Sequence, residues 1–132
     1  MWLPITGFSN PDVKFLRPNP DTTLTVPAAA SSVITTAAYN AYNNSLLLNS
    51  SRGFTRTGQI KPDITAPGVN ILAPAPKDRY STITGTSAAA AITAGGCALL
   101  IEWGMGRTPP RIFNNSELKA LLIRGAGRTG DK

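Results

Sequence analysis

The chain has 132 residues, 42% of them hydrophobic, with 12 glycines and 11 prolines. That is a globular composition for one small, turn-rich domain, not a disordered chain or a helical bundle. Thirteen Lys and Arg against seven Asp and Glu give a net charge of +6, yet the basic residues stand singly, with no basic run and no aromatic–basic module, so nucleic acid is not an expected partner.

Residues 1–30 read as irregular, broken by prolines, with short strands expected at Val13–Leu16 and Thr22–Val26 and a turn from Pro27. Val33–Tyr39 reads as a strand whose small side chains suit close packing against a helix. A polar turn at Asn40–Asn44 leads to a short apolar strand at Leu46–Leu48, and Asn49–Gln59 is a long polar connection. Ile64–Ala66 is a strand stopped by Pro67-Gly68. Val69–Leu72 is the next strand, Pro74 and Pro76 mark a surface loop, and Tyr80–Thr84 is strand-like.

From Ser87 to Trp103 the pattern becomes apolar all round and rich in alanine, which predicts a buried helix. The run is too short to span a bilayer comfortably, so no membrane is expected as a partner. Gly104 and Gly106 are expected to close this helix, with Pro109-Pro110 beyond. Cys97, the only cysteine, reads as a buried, inert thiol inside it. Asn115–Ile123 predicts a second helix with one apolar side, capped by Asn114 or Asn115. Met1-Trp2-Leu3-Pro4 has no basic start and no long apolar stretch after it, so these residues are not expected to be a signal peptide, and no carboxylate cluster suggests a metal site.

One segment carries chemistry. In Thr84-Gly85-Thr86-Ser87-Ala88-Ala89 a β-branched strand runs through a glycine corner into the alanine helix. Ser87 falls in the first helical turn, where free N–H groups and the positive end of the dipole would stabilise an oxyanion. Ala88 and Ala89 let the helix sink into the core and hold the serine on a rigid element. On these residues alone, a helix-capping serine and a nucleophile are both open.

The surrounding residues resemble the subtilisin-like serine protease family. Ile60-Lys61-Pro62-Asp63-Ile64-Thr65-Ala66-Pro67-Gly68-Val69 resembles the family's pre-nucleophile strand and Ala-Pro-Gly turn. Asn49–Gly53 resembles its Ser-Ser loop, Gly85–Ala89 with Ala94-Gly95 its nucleophile helix, and Glu117–Leu122 the helix that follows. The tract from Trp2 to Thr23 is similar to the branch containing clostridial germination proteases. The resemblance implies an α/β fold: residues 31–132 as the C-terminal part of a subtilisin-like parallel-sheet sandwich with a buried nucleophile helix, incomplete as an isolated domain, and residues 1–30 as the end of an inserted region. It implies Ser87 as nucleophile of a serine endopeptidase, with its backbone N–H in the oxyanion hole and Gly85, Thr86, Ala88, Ala89, Pro67 and Gly68 in support. No cofactor or metal is implied. Where the family commonly has Ser-Pro-His after the residue matched by Ala89, this chain has Ala90, Ala91 and Ile92.

Such an enzyme needs a base and an orienting carboxylate, which the family supplies in the order aspartate, histidine, serine. There is no histidine in this chain. Asp12, Asp21, Asp63 and Asp78 lie outside the family's first-strand motif, and Asp63 reads as structural, capping or pairing locally. Asn19 lacks the glycine-rich context of the oxyanion asparagine. The chain is therefore expected to be a truncated piece, inactive alone, with an N-terminal part carrying Asp, His and Asn as its partner. A peptide or protein is the expected substrate, and self-association is expected. Location is open between the cytoplasm and export. The competing reading is a noncatalytic α/β interaction module, or a degenerate relative, with Ser87 as a cap.

Overall fold

A computed structural model describes residues 16, 17 and 19–127. Residues 13–15 of the strand expected at Val13–Leu16 and most of the tract from Trp2 to Thr23 lie outside the described residues; Leu16 is an exposed bend. Five strands and two helices follow in chain order: β1 (Thr36–Asn40), β2 (Ser45–Leu46), β3 (Ile64–Pro67), β4 (Ile71–Ala75), β5 (Arg79–Ile83), α1 (Thr86–Met105) and α2 (Asn115–Gly125). β1 is the middle strand of a three-stranded sheet, order β2-β1-β3. It pairs with β3 in parallel, Thr36 opposite Ile64 through Tyr39 opposite Pro67, and with β2 antiparallel. β4 and β5 form a separate antiparallel hairpin. The fold is α/β with mixed strand directions.

The alternation of β1 decides what packs where, because successive side chains leave opposite faces of a strand. Thr36 and Ala38 face α1: the Thr36 hydroxyl donates to Thr93 Oγ1 at 3.2 Å, and Ala38 packs with Ala66 of β3 and Ala89 of α1, with Leu47 beside them. Ala37 and Tyr39 face the other way and line a concavity of about 1050 Å³ with Tyr42, Leu47, Ile64 and Ile123. Small side chains at 38, 66 and 89 let the helix approach the sheet closely.

The apolar character of α1 is as expected, but its burial is narrower. Only Ala88, Ala89, Thr93 and Gly104 are buried: β1 and β3 cover a stripe that includes Ala89 and Thr93, and Gly104 lies against Arg111 and Phe113. Ile92, Leu99, Ile101, Trp103 and Met105 are exposed. By length and composition alone the 20-residue helix would pass for a membrane span. It packs one side against β1 and β3.

Four local differences from expectation have physical causes. Thr22–Val26 is not a strand: Thr22 has φ 59, and Thr23 is pinned instead to a distant loop, its N–H donating to Arg52 O at 3.0 Å while the Arg52 N–H donates to Thr23 Oγ1 at 2.9 Å. β4 starts two residues later than expected and includes Pro74, which a hairpin with open edges tolerates. The hairpin turn is made by Lys77 and Asp78 at φ 64 and 51, the left-handed geometry that matches strand twist. Gly104 does not close α1. It lies within the helix, where a Cβ would stand 2.5 Å from Arg111 O and from the Phe113 ring, and the cap is Gly106, whose N–H donates to Glu102 O.

α2 starts at a capping box. The Asn114 side chain accepts from the Glu117 N–H, and the Asn114 N–H donates to Glu117 Oε2, both at 3.0 Å. Hydrogen bonds from Asn114 and Arg111 hold the Glu117 carboxyl below its usual range. Asn115 donates to Ser32 O and the Lys119 ammonium to Ser31 O at 2.9 Å, so α2 docks on the approach to β1.

Candidate active site

The corner that delivers Ser87 is built from four glycine and alanine contacts. Gly85 is the N-cap of α1 with φ 153 and ψ 170, a conformation essentially reserved for glycine. Its N–H donates to Gly68 O at 2.8 Å, and the Gly68 N–H donates to Tyr39 O at 3.0 Å. The Pro67-Gly68 turn is thereby stitched to the end of β1 on one side and to the start of α1 on the other. Gly68 itself has no room for a side chain: a Cβ there would lie 2.6 Å from Ala38 Cβ, 2.9 Å from Gly85 O and 3.3 Å from Ala89 Cβ. The expected supports Gly85, Pro67, Gly68 and Ala89 thus meet in one place, and Ala88 is buried beside them.

Thr86 and Ser87 are the first two residues of α1, and both are exposed. Ser87 does not cap the helix, since Gly85 occupies that position and no side chain bonds the helix start. The Ser87 hydroxyl meets no hydrogen-bond partner among the described residues. The first helical hydrogen bond here runs from the Ala89 N–H to Gly85 O at 3.4 Å. The N–H groups of Thr86, Ser87 and Ala88 precede it and lack intrahelical acceptors. No acidic residue stands in the first turn, so the positive end of the dipole is uncompensated. Hydroxyl, free N–H groups and positive potential converge on one exposed point.

The other end of the β1–β3 pair is charged and buried. Asp63 Oδ2 accepts from the Lys61 ammonium at 2.6 Å and from the Thr35 N–H at 2.7 Å, and Lys119 approaches Oδ1 at 3.3 Å. The Lys61 ammonium also donates to Val33 O at 2.7 Å and Thr35 Oγ1 at 3.3 Å. Burial pushes the Asp63 carboxyl up, but hydrogen bonds from Lys61, Thr35 and Lys119 outweigh it and hold the group below its ordinary value. Asp63 is a structural carboxylate here, as its sequence context suggests. Its partners were not foreseen, although the Lys-Pro-Asp spacing points to Lys61. Cys97 is half-buried rather than buried as expected, because the sheet covers another side of α1; that partial burial still pushes its thiol up, away from the reactive thiolate range. Among the described residues no group of three or more potential metal ligands assembles.

Two kinds of likeness match this geometry. The subtilase family model matches residues 10–132. Among curated relatives, the C5a peptidase of Streptococcus pyogenes is 38% identical over 98 residues, covering 74% of this chain and 8% of the relative. The serine protease AprX of Bacillus subtilis (strain 168) is 34% identical over 130 residues, covering 83% of this chain and 28% of the relative. The structure of the Clostridium perfringens CspB protease superposes with a TM-score of 0.81 at 41% identity, over 90% of this chain and 26% of that one. The self-cleaved protease domain of PatA follows with a TM-score of 0.66 at 26% identity, over 85% of this chain and 40% of that one. The chain therefore spans well under half the length of each of these proteins.

Proposed function

This chain belongs to the subtilase family of serine peptidases, and on that premise we propose that it carries the nucleophile portion of a serine endopeptidase site. Ser87 is the nucleophile. Its hydroxyl attacks the scissile carbonyl, and its own N–H shares the resulting oxyanion with an asparagine from another part of the protein. A histidine supplied by that other part takes the hydroxyl proton and passes it to the leaving amine, and an aspartate orients the histidine. Water then releases the acyl group.

The observation that carries this reading is the exposed Ser87 on the second residue of α1, its hydroxyl without a hydrogen-bond partner among the described residues, with Gly85 holding the cap position. A serine retained only for capping would stand where Gly85 stands. The chain contains no histidine, so in this reading the base comes from another part of the protein, and the chain alone is inactive. In this reading residues 31–132 form the C-terminal portion of the catalytic domain and residues 1–30 the end of an inserted region. The part bearing Asp, His and Asn packs over the exposed face of α1, and without it the chain associates with itself through that face. A peptide or protein is the substrate.

The test is intact mass after treatment with a fluorophosphonate. The 132-residue chain alone is expected to stay unlabelled. A complete protein containing this segment together with a histidine-bearing part is expected to take one label, mapped to Ser87 and lost in Ser87→Ala. A complete, folded protein that remains unlabelled would overturn the reading in favour of a noncatalytic relative.

A further inference from the structure

The corner ahead of Ser87 is held by a pair of bonds that neither the helix nor the sheet requires. Asn70 sits at φ 53, a left-handed conformation that asparagine tolerates better than most residues. From there its backbone N–H donates to Thr84 Oγ1 at 2.9 Å, and the Thr84 hydroxyl donates back to Asn70 Oδ1 at 3.4 Å. One hydroxyl is thus acceptor and donor to the same residue. Asn70 immediately precedes β4 and Thr84 immediately follows β5, so the ring closes the open end of the hairpin. One residue further on, the Gly85 N–H is bonded to Gly68 O at 2.8 Å. Residues 84 and 85 are therefore both tied to the turn after β3, just before the chain enters α1.

We propose that Asn70 and Thr84 form a positioning clamp for Ser87, acting through the Gly85 corner and touching neither substrate nor the reacting atoms. The inference rests on the reading of Ser87 as the nucleophile. Both clamp residues are exposed, where water competes for their hydrogen bonds and little global stability depends on them. The direction in which α1 presents its second residue does depend on them. A misplacement of about 1 Å at a reacting group can cost about 10²-fold in rate. Loss of the clamp is therefore read in kcat, not in KM or in thermal stability.

The experiment uses the complete protein that contains this segment. It compares wild type with Thr84→Val, Thr84→Ser and Asn70→Gly, measuring melting temperature, the rate of fluorophosphonate labelling at Ser87, and kcat and KM on a fluorogenic peptide. Thr84→Val is expected to lower labelling and kcat by about 10- to 100-fold with KM and melting temperature nearly unchanged. Thr84→Ser, which keeps the hydroxyl, is expected to restore them. Asn70→Gly keeps the N–H but loses the Oδ1 acceptor, and should fall between. Wild-type labelling and kcat in Thr84→Val overturn the clamp, as does an equal loss in Thr84→Ser. If Thr84→Val fails to fold, Asn70→Gly decides, and unchanged labelling there overturns the clamp. An unlabelled wild-type Ser87 would take down the nucleophile reading and the clamp with it, whereas a labelled wild type with an indifferent Thr84→Val would remove the clamp alone.

Discussion

The parallel pair β1–β3 is held in opposite ways at its two ends. At the N-terminal ends a lysine and a carboxylate are buried together, the side chains of Lys61 and Asp63 being 2% and 8% exposed, with the half-buried Lys119 beside them. At the C-terminal ends the described residues in contact are uncharged and mostly small: Ala38, Ala66, Gly68, Gly85 and Ala89, with Leu47 beside them. The difference follows from what each end must do. Ligand chemistry in parallel sheets gathers beyond the carboxyl ends of the strands, and a helix start must approach closely there for Ser87 to be held in place. Side chains of any size would push it away. With Ser87 proposed as the nucleophile, the opposite end lies away from the proposed site, and long side chains serve there: Lys119 ties α2 to Ser31 O and to Asp63, on the approaches to the two strands.

The comparison breaks most visibly at the charged end. Asp63→Ala leaves the Lys61 ammonium buried with only Val33 O and Thr35 Oγ1 as acceptors, and removes the acceptor of the Thr35 N–H. Stripping one partner from a buried pair costs about 3–5 kcal/mol. Denaturant unfolding of the complete protein should show that loss while the surviving folded fraction keeps its Ser87 labelling rate. The same carboxyl sets an acid limb. Its folded pKa lies below the ordinary 3.8, so its contribution is complete above that value and drains away as the pH falls through the lowered one. Asp63→Asn should flatten that part of the stability–pH curve, and an unchanged slope would show that other carboxylates carry it.

At the uncharged end the expected loss is smaller in stability and larger in rate. A methyl at position 68 would fall 2.6 Å from Ala38 Cβ and 2.9 Å from Gly85 O. Neither neighbour is the far end of a flexible chain, so the turn or the helix start must shift. Overpacking of this kind costs about 1–3 kcal/mol. Gly68→Ala should therefore lower stability less than Asp63→Ala does, yet slow labelling of Ser87, which Asp63→Ala leaves alone. If the two variants affect rate and stability in the same proportion, the two ends do not divide their roles between stability and positioning.

What could be read from the residues, and what could not, divides along a similar line. The α1 helix and its Gly85 corner are written locally, in an alanine run behind a glycine, and the Asn114 cap is written in the Glu that follows three residues later. Pro67-Gly68 is legible as a turn. Its tightness is not, because Ala38 and Ala89 reach it from separate parts of the chain. Lys119 is invisible as a partner of Asp63 for the same reason. The strand expected at Thr22–Val26 failed where a β-branched pattern met a bond to Arg52 across a long loop, a tertiary contact that overrides local preference. The narrow burial of α1 could not be read either: an all-apolar helix asks for cover on every side, and among the described residues β1 and β3 cover one stripe while Phe113 covers its C-terminal end.

The smallest effect tests whether α2 belongs to the charged end by its docking or by its own helicity. Asn114 caps α2 and receives the Glu117 N–H, while Glu117 returns a bond to the Asn114 N–H and pairs with Arg111 at 3.0 Å. Asn114→Ala removes the cap and should cost about 1 kcal/mol. Lys119 and Asn115 would still reach Ser31 O and Ser32 O, so docking should persist and the loss should stay near that figure. A much larger loss would mean that the first turn of α2 must be formed before Lys119 can reach Asp63, which would tie the cap to the buried network. Hydrogen exchange at the Asp63 and Ile64 amides, both bonded to Thr35 O, separates the two outcomes: local fraying of α2 leaves their protection intact, whereas a coupled network loses it.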